Sequence, residues 1–122
     1  MQAERALRRL EGVTTVRVTL EQEAAYVSLK TGALFEPGKF RAAIKSASQE
    51  VRNFELRLRA AVERQDGRYY LRPSRVAQRF AVGESALTGK LDAFVGKQVR
   101  ARGTIVSDGP PLELELLELL PP

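Results

Sequence analysis

The chain has 122 residues, 43% of them apolar and 29% charged, with no Cys, no His and a net charge of +5. That balance belongs to a folded globular protein, and it excludes thiolate and imidazole metal sites together with cysteine or histidine catalysis. No apolar run approaches the roughly 18 residues a membrane-spanning helix needs, and Met1 to Arg5 lacks the apolar core of a signal peptide. As written the chain therefore reads as soluble and cytoplasmic, or periplasmic if a leader precedes Met1.

In chain order, Ala3, Leu7 and Leu10 recur at spacings of four and three among Arg5, Arg8, Arg9 and Glu11. This pattern predicts an amphipathic helix ending at Gly12. Val16, Val18 and Leu20, then Ala25, Val27 and Leu29, alternate with polar residues and predict a two-stranded hairpin with one buried face. Phe40, Ala43, Ile44 and Ala47 share a helical face opposite Arg41 and Lys45, so a second helix is expected over Pro37 to Ser48.

From Val51 the period returns to two. Phe54, Leu56, Leu58, Ala60 and Val62 lie on one side, and Glu55, Arg57 and Arg59 on the other. This long strand is expected to run out of a first module into a second. Asp66-Gly67 predicts a tight turn into a short strand, Arg68 to Leu71, which Pro73 breaks. A brief strand over Arg79 to Val82 follows, then a short helix through Leu87, Leu91, Phe94 and Val95 closed by Gly96. A strand over Lys97 to Val106, a turn at Asp108 to Pro111 and a last strand carrying Leu112, Leu114 and Leu116 complete the chain.

The stretch Glu4 to Val13, followed by Val16-Arg17-Val18, resembles the first helix, Gly-Val turn and second strand of the heavy-metal-associated domain. Phe40-Arg41-Ala42-Ala43-Ile44 is similar to that family's second helix. The resemblance implies a ferredoxin-like module over residues 1–60 of the kind found in copper chaperones, copper-transporting ATPases and mercuric-ion binding proteins. The family's motif, a Met and two Cys before the first helix, has no counterpart in this sequence and would fall upstream of Met1, so no residue inherits a metal-binding role. Ferredoxin-like sheets hold the strand before that helix in the interior. Its absence would leave main-chain groups unpaired, so residues upstream, a partner's strand or a rearranged sheet must occupy or avoid the position.

Gly96-Lys97-Gln98-Val99-Arg100-Ala101-Arg102-Gly103-Thr104-Ile105-Val106 resembles the strand after the helix in small OB-type barrels of bacterial secreted and nucleic-acid-binding proteins. Residues 61–122 are accordingly expected to form such a barrel. The fold class is α+β, a ferredoxin-like module followed by a mostly-β module.

Chemistry is sparse. The carboxylates are scattered, no nucleophile stands beside a base, and Glu113, Glu115 and Glu118 read as the solvated face of a terminal strand. Thr88-Gly89-Lys90 lacks the glycine spacing of a phosphate-binding loop. The chain is therefore expected to be non-enzymatic and without cofactor or metal. Fifteen of the 20 basic residues are Arg, a bias that suits bidentate contacts to carboxylate and phosphate and that a GC-rich genome also produces.

Residues 64–102 hold nine basic residues against Asp66, Glu84 and Asp92, a local balance of +6. Tyr69 and Tyr70 lie among them, and only one of two adjacent strand tyrosines can face outward. The expected partner surface comprises Arg57, Arg59, Arg64, Arg68, Arg72, Arg100 and Arg102. The reading this favours is a scaffold or accessory subunit that recognises another protein or a larger complex. Single-stranded nucleic-acid binding is one alternative, and a metal chaperone whose Cys motif lies upstream is another. The isolated chain should capture no Cu(I), Hg(II) or Zn(II), because soft metals need ligands it lacks. Stoichiometric capture in competition with a chromogenic chelator would contradict this.

Overall fold

The computed structural model describes residues 2–19, 21–22, 24–76, 78–109 and 111–121. The chain divides into two compact units, Met1–Arg52 and Asn53–Pro122.

The first unit contains α1 (Gln2–Arg8), β1 (Val13–Thr19), β2 (Ala24–Leu29) and α2 (Pro37–Ser46). Helix α1 buries Ala3 and Leu7, and an i,i+4 ion pair joins Arg8 Nη2 to Glu4 Oε1 at 2.8 Å on its outer side. Pro37 opens α2, where a missing N–H costs nothing. The buried residues of this unit include Val16, Phe35, Phe40 and Ala43, with the Phe35 and Phe40 rings 5.3 Å apart, and α1 packs on both α2 and β1. The last residue of the predicted first strand, Leu20, lies outside the described residues.

β1 and β2 form a two-stranded antiparallel sheet, with Val16 opposite Val27 and Val18 opposite Ala25. The long strand expected to begin in this module takes no part in its sheet. β3 (Glu55–Gln65) pairs instead with strands of the second unit along its whole length, so residues 53–60 lie in that unit. Its alternating apolar side finds a matching apolar row there, Leu56, Leu58 and Ala60 standing opposite Gly103, Ala101 and Val99. A complete ferredoxin-like sheet is therefore not formed by the described residues.

The second unit is a closed barrel of β3, β4 (Arg68–Pro73), β5 (Phe80–Val82), β6 (Gln98–Ser107) and β7 (Glu113–Leu120), in the circular order β3-β4-β5-β7-β6. Only β5 and β7 run parallel; the other neighbours are antiparallel. Asp66 and Gly67, both with positive φ (52° and 77°), make the two-residue turn between β3 and β4, which matches the right-handed strand twist. Ala60, Val62, Leu71, Phe80, Val82, Val99, Leu114 and Leu116 are among the buried residues of the barrel.

Between β5 and β6 the expected short helix is a 3₁₀ helix, Thr88–Phe94. Its Leu91 is fully buried, and within three residues of its end Gly96 N–H donates to Val62 C=O while Val62 N–H donates to Lys97 C=O. The chain must pass from core anchor to strand pairing with no residues to spare, which suits the tighter helix. No helix among the described residues is long and apolar enough to cross a membrane.

Candidate partner-binding face of the barrel

β3 and β6 each place apolar residues inward and arginines outward. Their register sets Arg57 opposite Arg102 and Arg59 opposite Arg100. Phe54 C=O accepts from Ile105 N–H at 3.1 Å, which makes the even-numbered residues of β3 the hydrogen-bonded ones. Both arginine pairs are thus of the non-hydrogen-bonded type, whose Cα atoms approach to about 4.5 Å. Like charges directly opposite one another destabilise a sheet, so this ladder is an arrangement that folding alone does not favour.

One carboxylate offsets it in part. Glu55 Oε1 accepts from Arg102 Nη1 at 2.7 Å, while its other oxygen stands 3.9 Å from Arg57; Glu118 faces Arg102 from β7. Arg100 Nε donates to Pro121 C=O at 3.2 Å. The guanidinium of Arg59 has no hydrogen-bond or ion-pair partner among the described residues, and the Arg57 side chain is 75% exposed. The four arginines line a shallow open depression of about 570 Å³, with Leu120 at its margin. Leu117 and Leu120 leave apolar surface exposed on the adjoining β7.

The other three predicted arginines are engaged elsewhere. Arg64 pairs with Asp92 at 3.4 Å, Arg68 with Glu113 at 2.9 Å, and Arg72 with Glu63 at 2.8 Å. The two tyrosines among them are both buried, and they lie on opposite faces of β4. Tyr69 points inward and its hydroxyl donates to Asp92, a bond to the neutral phenol that raises its pKa. Tyr70 lies on the outer face but is covered by the Arg79 guanidinium, 3.8 Å from the ring centroid. Arg79 in turn donates to Gln65 Oε1 at 2.9 Å and sits 3.8 Å from Glu63. The structure thus brings together Arg57, Arg59, Arg100 and Arg102 and separates them from Arg64, Arg68 and Arg72. The bond from Arg102 to Glu55 carries no local sequence signal, because it runs between strands 47 residues apart in the chain.

The Arg72 hydrogen bond holds the Glu63 carboxyl below the usual carboxylate range, with the Arg72 and Arg79 charges adding to the effect and partial burial opposing it. A depressed folded-state pKa contributes stability that is present above the unfolded value and lost as pH falls through the folded one. Because both side chains are about a third exposed, the contribution should not exceed roughly 1 kcal/mol. Urea midpoints of wild type and Glu63→Gln are expected to differ at pH 7 and converge in acid. An unchanged gap at pH 3 would show that the ion pair is not its source.

Among the described residues no group of three or more acidic side chains could hold a metal ion. Comparison with protein-family models, with curated proteins and with solved structures finds no match to this chain.

Proposed function

We propose that this chain is a non-catalytic binding module that recognises another protein through the arginine face of its barrel. The observation that carries the reading is the cross-strand ladder of Arg57 with Arg102 and Arg59 with Arg100, which is unfavourable within the fold and becomes favourable once an anionic surface covers it. Within this reading the second unit is an OB-type barrel. Its strands, numbered in order, run 1-2-3-5-4 and back to 1, with the 3₁₀ helix between the third and fourth, which supports that assignment. The first unit is a heavy-metal-associated-like module that lacks the metal motif. Its helix-strand-strand-helix order, with α1 on α2, supports this.

A protein partner fits better than single-stranded nucleic acid. OB-type barrels take nucleic acid on the outer face of their second and third strands, using bare aromatic rings as stacking platforms. Here those strands are β4 and β5. The outward ring there, Tyr70, lies beneath Arg79, and Glu63 stands opposite it on β3. The arginine face itself is bordered by Leu120 and carries no aromatic side chain.

The test is fluorescence anisotropy on the full chain, with a labelled peptide of alternating Glu and Val compared against a labelled deoxythymidine oligonucleotide. The peptide should bind the more tightly, and the Arg59→Glu/Arg100→Glu double variant should weaken it by at least about tenfold, or 1.4 kcal/mol. Tighter oligonucleotide binding that the same variant abolishes would overturn the reading in favour of nucleic acid.

A further inference from the structure

The edge of β3 next to the arginine face is open. Phe54 C=O accepts from Ile105 N–H, and Val62 exchanges bonds with Gly96 and Lys97, so the even-numbered residues of β3 direct their main-chain groups towards β6 and the segment leading into it. In an antiparallel ladder the alternate residues then direct theirs to the opposite side. For Ala61, Glu63 and Gln65 that side is filled by β4, opposite Arg72, Tyr70 and Arg68. For Glu55 and Arg57 it is not. The β4 register stops at Ala60 opposite Pro73, and the chain then turns away through Arg75, a non-glycine residue at φ +62°. No described residue bonds the main-chain N–H or C=O of Glu55 or Arg57.

An open edge is a template for another strand, and the side chains on it decide which strand is accepted. Antiparallel pairing of two copies about Arg57 would stack that residue on its own copy, and the Glu55 that would then face Arg59 is already bonded to Arg102. An extended segment with carboxylates at alternate positions instead repeats them every ~6.7 Å, the spacing from Arg57 to Arg59 along a strand.

We infer that β3 over Glu55 to Arg59 accepts an extended acidic segment of a partner protein as an added strand. Main-chain bonds to Glu55 and Arg57 hold it, and its alternate carboxylates meet Arg57 and Arg59. The inference rests on the protein-recognition reading above and adds the chemistry of the partner and its mode of docking.

Amide exchange followed by NMR on the ¹⁵N-labelled full chain separates the two. The probe is the alternating Glu-Val peptide, alongside the same peptide N-methylated at every second residue in either frame. N-methylation leaves all charges in place and removes main-chain donors from one edge. The Arg57 amide is expected to exchange at least about tenfold more slowly with the unmodified peptide bound, and one methylated frame should bind at least about tenfold more weakly than the other. Equal binding of both frames with no protection of the Arg57 amide would overturn the added strand while leaving the arginine face as the binding surface. Binding that survives Arg57→Glu/Arg59→Glu and Arg59→Glu/Arg100→Glu alike would overturn both.

Discussion

Leu114→Ala is expected to bring the barrel close to unfolding. Leu114 is fully buried and stands where β7 joins two neighbours, opposite Val82 in the parallel pair and Ile105 in the antiparallel one. Truncating it removes apolar contact and leaves a cavity, at a cost of about 2–5 kcal/mol. A unit this small has total stability of the same order, so its melting temperature should fall by roughly 10 °C or more. The near-ultraviolet circular dichroism of Tyr69 and Tyr70, which lie in the barrel, gives a direct reading. Leu120→Ala on the same strand, at a residue 39% exposed, should shift the melt little. Equal losses in the two variants would mean that this pairing is not what closes the barrel.

The second large effect is expected at Gly103. The register between β6 and β7 slips between Arg102 and Gly103, and a Cβ at Gly103 would lie 2.8 Å from the carbonyl oxygen of Glu115. The obstacle is main chain and cannot rotate aside, so even Gly103→Ala should cost on the order of 1–3 kcal/mol, and Gly103→Val more. The contrast is Gly89 in the 3₁₀ helix, where an added Cβ meets nothing within 4 Å. There Ala should be neutral or stabilising by up to about 1 kcal/mol. The slip at Gly103 also sets Glu118 opposite Arg102, so displacing β7 there should loosen the arginine face along with the fold. A Gly103→Ala melt matching that of Gly89→Ala would show that the close approach relaxes without loss.

Periodicity carried much of the local structure. The apolar alternation from Phe54 to Val62 appears as β3, Asp66-Gly67 as the tight turn, and Pro73 as the last residue of β4. The outward placement of Arg57 and Arg59 was equally legible, because successive side chains on a strand must point to opposite faces. What alternation does not encode is a strand's neighbour. The segment over residues 53–60 reads the same whether it closes the first sheet or opens the second, and the match of Leu58 with Ala101 and Ala60 with Val99 placed it in the barrel.

The same limit governed the candidate site. The sequence by itself determined that the chain is rich in arginine, lacks Cys and His and carries two arginines on one side of a strand. Only the tertiary structure decided which arginines are satisfied. Arg68 meets Glu113 and Arg102 meets Glu55 across more than forty residues of chain, while Arg59 meets no carboxylate among the described residues. Charge is a property of a residue, but its neutralisation belongs to a pair, and in a sheet that pair is fixed by register between strands distant in sequence.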